Sequence, residues 1–182
     1  MNPLIAVPNV SDGRDPATLE AIGRAFTSTP APIRLLDRHA DPDHHRAVYT
    51  LAGPPGHLGP ALLEGARAAI ARIDLTTSRG LHPFVGAVDV VPLVHLEPAT
   101  RGAAMVEALL TADLLASELG LPVFLYGPLA GGRTRAELRR GGPAELARRI
   151  AAGELTPDFG PIRLHPTAGA VLVGARPPLV AV

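Results

Sequence analysis

Short apolar runs alternate with amphipathic segments along the whole of the 182-residue sequence. The apolar runs, of which residues 4–7 are the first, are rich in aliphatic side chains and stop at proline or at polar residues, as strands do. The amphipathic segments, of which residues 102–119 are the longest, repeat apolar side chains at helical spacing. Such alternation predicts a fold in which helices pack on a sheet.

The order of these segments predicts a single α/β domain over residues 1–182. Its first part has the order βαββαβ, which is similar to a ferredoxin-like sandwich with helices packed on one mixed sheet. Asp15 and Pro16 are suited to begin the first helix, as N-cap and first helical residue. The predicted strands lie at residues 4–7, 33–36, 47–51, 86–96, 123–126, 170–173 and 179–182.

Two segments carry particular expectations about the sheet. Pro92 lies inside the apolar run 86–96, and because proline lacks an N–H it predicts an edge position or a bulge there. The segment 37–46 is charged and contains proline, so it is predicted to be a loop between two strands.

Composition excludes several classes of function. The sequence has 17 basic and 17 acidic residues, and this zero net charge removes the electrostatic case for nucleic acid or an anionic membrane as partner. No apolar stretch is long enough to cross a bilayer.

Cysteine is absent, which excludes disulfides and thiolate chemistry, and the expected location is the cytoplasm. Every basic residue is Arg, which excludes P-loop and Schiff-base lysines.

Histidine is the most obvious carrier of reactivity. His82 comes just before the most apolar predicted strand and is followed by Pro83, a position suited to proton transfer near neutral pH. The same position also fits a partly buried histidine that bonds a backbone carbonyl. His39, His44 and His45 lie close together in the charged segment, where they predict either a metal site or a solvated loop.

A second polar cluster lies near the C-terminal side of the chain. Thr134 and Glu137 form the pattern of a capping box, which predicts a short helix. The arginines that follow form either a basic face or a solvated helical surface with local ion pairs to glutamate. These arginines are Arg135, Arg139, Arg140, Arg148 and Arg149.

Several short segments, in order and at nearly unbroken spacing, resemble the N-terminal subdomain of glutamate formiminotransferases. These enzymes use folate in the breakdown of histidine. The matching segments are Val7-Pro8-Asn9-Val10-Ser11-Asp12-Gly13, Leu35-Leu36-Asp37, Arg46-Ala47-Val48-Tyr49-Thr50, His82-Pro83, Gly86-Ala87-Val88-Asp89-Val90, Pro122-Val123-Phe124-Leu125-Tyr126-Gly127, Pro157-Asp158-Phe159-Gly160-Pro161, Gly169-Ala170 and Gly174-Ala175-Arg176.

The resemblance implies a ferredoxin-like subdomain and a transferase activity. The reaction would move a formimino group from N-formimino-glutamate to tetrahydrofolate as co-substrate, with His82 as the acid/base, Asp37, His39 and Arg46 in support, and no metal. It also implies a folate-binding segment, which comprises Gly160, Pro161, Ile162, Arg163, Leu164, His165, Pro166, Thr167, Ala168 and Gly169.

The sequence departs from the family pattern at several positions. His39 stands where the family has an acid, His45 where it has Asn, and Leu81 and Phe84 where it has Glu and Arg beside the His-Pro pair. The chain also ends about where the second subdomain of the family begins. A homodimer or a separate second-subdomain chain is therefore expected to complete the site.

Three functions stay open on the sequence. The first is a folate-dependent transferase, and the second is a non-catalytic module that binds folate or a protein partner. The third is a metal-binding protein that uses His39, His44 and His45.

Overall fold

The computed structural model describes residues 2–77 and 83–179, which form one mixed sheet with helices on its two faces. Two short 3-10 turns, Pro98–Thr100 and Gly127–Ala130, join elements on the C-terminal side. In chain order the strands and helices are β1 (Leu4–Ala6), β2 (Asn9–Val10), α1 (Pro16–Phe26), β3 (Arg34–Asp41), β4 (Arg46–Gly53), α2 (Leu58–Ile70), β5 (Val88–Val94), α3 (Arg101–Leu119), β6 (Val123–Tyr126), α4 (Arg135–Arg139), α5 (Gly142–Ala151) and β7 (Val171–Arg176).

The first half of the sheet has the predicted element order. β1 and β2 are two segments of one interrupted strand, because both pair antiparallel with β4 on one side and with β5 on the other. β3 pairs antiparallel with β4. The order across the sheet is therefore β3, β4, the interrupted strand and β5, with α1 and α2 as the two connecting helices.

The second half adds parallel strands and makes the sheet mixed. β7 lies parallel to β5, and β6 lies parallel to β7 on its other side. The predicted α/β fold with one mixed sheet is thus confirmed. None of the helices in the described part of the chain is long and apolar enough to cross a membrane.

Local sequence signals explain where the helices begin and end. The Asp15 side chain accepts a hydrogen bond of 3.0 Å from the Ala17 N–H, with Pro16 as the first residue of α1. Gly120 ends α3 in the left-handed conformation, at φ 63°, which glycine adopts without strain. The predicted capping box of Thr134 and Glu137 is present at the start of α4.

The two faces of the sheet are covered unequally. α1, α2 and α3 form a layer on one face, over a core that contains the fully buried Tyr49 and Leu51 of β4. On the other face, α4 and α5 pack through buried leucine and isoleucine side chains on β5, β6 and β7. The structure shows no helix in residues 2–77 or 83–179 over that face of β3 and β4. We call this uncovered area the open face.

Three strand predictions need correction. Pro92 is in a central strand, so the edge alternative is wrong, whereas the bulge alternative matches a register shift in the same strand, where β5 pairs with Asn9 and Val10. Pro92 lies beside the interruption between β1 and β2, and its carbonyl accepts a hydrogen bond from the Val7 N–H. Residues 37–41 belong to β3, so the predicted loop shrinks to a turn over 42–45. Leu179 is not in a strand, and the rest of the predicted strand 179–182 lies outside the described residues.

The outer edge of β6 is closed by a segment that returns after α5. The Phe159 carbonyl accepts a hydrogen bond from the Val123 N–H at 2.9 Å, and the Asp158 carboxylate accepts one from the Leu125 N–H at 2.7 Å. Arg133 donates to the Leu125 carbonyl and forms an ion pair with Asp158. The backbone groups at this edge are therefore satisfied within the chain.

Candidate functional site

Three of the predicted site residues lie together on the open face. Residues directly opposite each other in an antiparallel pair point to the same face. Asp37 is opposite Thr50, His39 is opposite Val48, and Arg46 belongs to the same alternating set of β4. This set is half-buried, whereas the alternate β4 side chains are buried against the helices. Asp37, His39 and Arg46 thus share one surface.

A bulge in β3 produces this arrangement. The pairing register shifts between Leu35 and Asp37, so that Leu36 has no direct partner on β4. The shift reverses the alternation, and Arg38 then points to the helix side, where it pairs with Glu20 of α1 at 3.0 Å. Without the extra residue, Asp37 and His39 would both point to the helix side of the sheet and not to the open face.

A large cleft borders the open face. It has a volume of about 700 Å³ and is lined by Arg46 of β4, by residues of α4 and its flanks, and by Pro83. Its charged lining consists of Arg46, Arg135, Arg139 and Arg140, and we call it the arginine cleft. The cleft therefore joins the open face to the residue that follows His82 in the sequence.

The short helix α4 and the residue after it carry three of these arginines. Arg135 and Arg139 are four residues apart, which puts them on the same side of a helix. Leu138 between them is fully buried and anchors α4 on the sheet. The prediction of a solvated helical surface is wrong for the half-buried Arg135 and Arg139. It holds for the exposed Arg140, which interacts with Glu137 and Glu145, and for Arg148 of α5, which is exposed and pairs with Glu145 and Glu154.

Asp89 is the buried carboxylate that fixes the inner end of the cleft. Only 2 % of its surface is exposed. One of its oxygens accepts hydrogen bonds from the Val85 and Gly86 N–H groups, at 2.7 and 3.3 Å, and the other forms an ion pair with Arg139. Asp89 therefore ties α4 to the segment that follows Pro83.

Tyr126 supports a second arginine of the cleft. The Arg135 guanidinium lies over the Tyr126 ring, 5.6 Å from its centroid. Burial raises the pKa of the Tyr126 phenol, and the nearby arginines only partly oppose this effect. The phenol is therefore neutral at pH 7 and contributes no negative charge beside Arg135.

The predicted folate segment, residues 160–169, divides into two parts. Its first part packs at the edge of β6, where Gly160 has a φ of 81° and a Cβ would come within 2.3 Å of the Leu121 carbonyl. Ile162 and Arg163 in this part are exposed. The second part, residues 164–169, folds into a turn closed by two backbone hydrogen bonds between His165 and Gly169.

The second part of the segment lines a mostly apolar cleft. This cleft has a volume of about 260 Å³, and we call it the apolar cleft. The Nδ1 atom of His165 accepts a hydrogen bond of 3.1 Å from the Ala168 N–H, so the ring proton is assigned to Nε2. The lining residues are Leu75, Thr76, Pro143, Leu164, His165, Pro166 and Gly169.

Backbone hydrogen bonds join the folate segment to the residues after His82. The Ala170 N–H donates to the Val85 carbonyl and the Ala87 N–H donates to the Ala168 carbonyl, both at 2.9 Å. Gly86 and Gly169 face each other in a β-bridge. The folate segment and residues 85–87 are therefore neighbours, although about 80 residues separate them in sequence.

His82 and Leu81 lie outside the described residues, together with the rest of 78–82. The residues on either side of this gap both border pockets. Pro83 lines the arginine cleft, and Thr77 lines a small polar pocket with Asp12 and His45.

The three histidines of the metal hypothesis do not converge. His44 pairs with Asp41 at 2.7 Å, and the Nδ1 atom of His45 accepts a hydrogen bond from the Gly13 N–H at 3.1 Å. His39 lies on the open face of β3. In the described ranges, no group of three or more His, Asp or Glu side chains is arranged to hold a metal ion.

Comparison with known families decides the relationship. Residues 4–176 match the model of the formiminotransferase domain, N-terminal subdomain. The chain belongs to the formiminotransferase family. This confirms the resemblance found in the sequence.

Named relatives in the formiminotransferase family are longer than this chain. Formimidoyltransferase-cyclodeaminase of Sus scrofa is 38 % identical over 178 residues, which are 96 % of this chain and 33 % of that protein. Glutamate formimidoyltransferase of Streptococcus pyogenes is 34 % identical over 96 % of this chain and 59 % of its own length. The chain thus spans a third to three fifths of the relatives that it matches.

Sequence reasoning about this formiminotransferase-family chain missed two parts of the site. Asp89 was part of an apolar run, and nothing local shows that it pairs with Arg139, 50 residues away. The arginines of α4 were visible, but their cleft depends on Arg46 and Pro83 from distant segments. The signal that was available is the occurrence of one carboxylate in a strand that is otherwise buried and apolar.

Proposed function

We propose that this chain takes part in the folate-dependent transfer of a formimino group from N-formimino-glutamate to tetrahydrofolate. The observation that carries the proposal is the match of residues 4–176 to the N-terminal subdomain of the formiminotransferase domain. The grouping of Asp37, His39 and Arg46 beside a cleft that reaches Pro83 supports it.

The proposed chemistry needs one group that both takes and returns a proton. N5 of tetrahydrofolate attacks the formimino carbon and forms a new C–N bond, and His82 takes the proton that N5 loses. The bond between that carbon and the glutamate nitrogen then breaks, and His82 returns the proton to the departing nitrogen. Imidazole suits both steps because its ordinary pKa lies near neutral pH.

The apolar cleft is the proposed place for the pterin of the folate. Flat heterocycles bind in clefts with apolar walls and a few directed polar groups. Leu164 and Pro166 offer such walls, and His165 offers a ring N–H. Residues 160–169 as a whole are the proposed folate-binding segment, and their bonds to residues 85–87 would keep the folate near His82.

The transfer assay tests this proposal directly. We expect the purified chain to release glutamate from N-formimino-glutamate only when tetrahydrofolate is present, and we expect His82→Gln to slow release at least 100-fold, as loss of a general acid/base does. His95→Gln, in a half-buried histidine at the far end of β5, is the matched control and should keep its rate.

Calorimetric titration with folinic acid separates the alternatives. Folinate binding by the wild type and by His82→Gln, with no glutamate release by either protein, would identify a non-catalytic folate-binding module. Absence of both binding and turnover would overturn the proposed function.

The open face is the proposed contact surface for the protein partner. Val48 and Thr50 are half-buried there without a covering helix in the described ranges, and exposed Leu36 lies at its outer strand. We propose that a second copy of the chain, or a separate second-subdomain chain, covers this surface and completes the folate site.

Light scattering tests the homodimer form of this proposal. We expect a mass of twice 18.8 kDa at high micromolar concentration. Val48→Glu on the open face should shift the protein to monomer, because it would bury a charge in the contact. Val106→Glu on the exposed side of α3 is the matched control and should leave the dimer intact. A monomeric wild type at every concentration would contradict the homodimer.

A further inference from the structure

The arginine cleft carries an excess of positive charge on its α4 side. Three of its arginines, Arg135, Arg139 and Arg140, come from α4 and the residue after it. Among the residues that the structure describes, Asp89 is the one carboxylate in ion-pair contact with any of these three. It compensates Arg139, so Arg135 and Arg140 are the two cleft arginines of α4 and its flank without a carboxylate in direct contact among the described residues.

The carboxylates nearest in sequence, Glu137 and Glu145, make their direct bonds elsewhere, although both interact electrostatically with Arg140. Glu137 accepts hydrogen bonds from the Thr134 N–H and hydroxyl at 2.6 and 2.7 Å as part of the capping box. Glu145 receives two hydrogen bonds from Arg148, at 2.8 and 2.9 Å. Neither carboxylate forms an ion pair with the arginines of the cleft.

The surroundings of Arg135 and Arg140 suit recognition of an anion. Stacking on Tyr126 occupies the flat side of the Arg135 guanidinium and leaves its N–H groups, which lie in the plane, for an acceptor. Arg140 is the C-cap residue of α4, and it is followed by Gly141 and by Gly142, the first residue of α5, both with positive φ. A guanidinium matches a carboxylate with two parallel hydrogen bonds.

We propose that Arg135 and Arg140 bind the two carboxylates of the glutamate donor in the arginine cleft. A dicarboxylate carries two negative charges, one for each of the two guanidiniums without a carboxylate in direct contact among the described residues. The volume of about 700 Å³ lies within the range of small-molecule sites. This inference rests on the proposed function for the identity of the donor, but the charge match stands on the cleft itself.

The connectivity of the donor fits the position of the cleft. In N-formimino-glutamate, the α-carboxylate is joined through Cα and one nitrogen to the reacting carbon. Holding the carboxylates fixes that carbon only a few bonds away. Because Pro83 lines the cleft and follows His82 directly, Arg135 and Arg140 act as positioning residues for the transfer.

The donor and the tail of folate both contain a glutamyl group, so either could supply the carboxylates that bind this site. N-formyl-L-glutamate distinguishes the two sources, because it differs from the donor only by an oxygen in place of the imino NH and carries no pterin. We expect it to bind the wild-type chain in calorimetric titration. We also expect it to bind when tetrahydrofolate, which carries no one-carbon group on N5, is present at saturation, since the glutamyl part of the donor and the pterin would occupy different clefts.

Charge-neutral variants test the residues. We expect Arg135→Gln and Arg140→Gln each to weaken N-formyl-L-glutamate binding about tenfold, and the double variant at least 30-fold, while folinate affinity and the circular dichroism spectrum stay unchanged. Arg148→Gln on α5 is the matched control and should bind within twofold of the wild type. N-formyl-L-glutamine, which lacks one carboxylate, should bind the wild type as weakly as a single variant binds N-formyl-L-glutamate.

In turnover, the variants should raise KM for the donor and leave kcat nearly unchanged. Equal binding by the wild type and the double variant would overturn the inference, as would competition between N-formyl-L-glutamate and tetrahydrofolate, or no binding by the wild type. If binding depends on these arginines but no glutamate is released, the dicarboxylate site stands and the proposed transferase function falls. If glutamate is released and the double variant has an unchanged KM for the donor, the transferase function stands and the dicarboxylate site falls.

Discussion

Asp89→Asn is expected to lower the free energy of unfolding by about 3 kcal/mol, because it leaves Arg139 as a buried charge without its counter-ion. Asparagine has nearly the same shape, so the Val85 and Gly86 N–H groups can still donate to its amide oxygen. The loss therefore reports the ion pair, apart from packing. Urea unfolding followed by circular dichroism at pH 7 measures the difference.

Two comparisons make the Asp89 result specific. Asp113→Asn, on the exposed side of α3, removes the same charge and should change stability by less than about 0.5 kcal/mol. Adding Arg139→Gln to Asp89→Asn should recover part of the loss, since the unpaired cation is then gone. A loss below about 0.5 kcal/mol for Asp89→Asn would show that the pair does not hold α4 to the sheet.

Gly86→Ala is expected to be the most damaging small substitution at the site. A Cβ on residue 86 would come within 1.8 Å of the Ala170 carbonyl oxygen and 2.6 Å of the Val88 carbonyl oxygen. Both contacts are with backbone, so no side chain can rotate away. The bridge between Gly86 and Gly169 would have to open, at an expected cost of at least about 4 kcal/mol.

Gly102→Ala is the matched control, because a Cβ there meets nothing within 4 Å and alanine favours helix. It should be neutral or stabilise the protein by up to about 1 kcal/mol. The soluble yield and the urea midpoint of both variants provide the measurement. Soluble Gly86→Ala protein that unfolds within about 1 kcal/mol of the wild type would show that the two site segments are not locked together.

The parts of the fold that sequence predicts well are those with local causes. The beginning of α1 depends on Asp15 and Pro16, which are adjacent, and the end of α3 depends on Gly120. The capping box of α4 spans four neighbouring residues. Each signal is complete within one turn of helix, so no knowledge of distant residues is needed.

The parts that sequence missed depend on distant partners. β3 is an edge strand with a bulge at Leu36, and its side chains are mostly exposed, so neither alternation nor apolar content identifies it. Pro92 is tolerated in a central strand because the neighbouring strand is interrupted. The candidate site also depends on distant residues. Asp37, His39 and Arg46 were identified from the sequence, but their position on one surface follows from the pairing register of β3 and β4.

The closed outer edge of β6 has a consequence for assembly. Phe159, Asp158 and Arg133 occupy the backbone groups that another strand would need there. At the opposite border, β3 pairs with β4 alone among the described strands. Two molecules that paired through their β3 edges would form a dimer with one sheet, whose two outer edges are both closed β6 edges. Strand-to-strand growth into fibres needs two free edges on each molecule, and the β6 edge offers none.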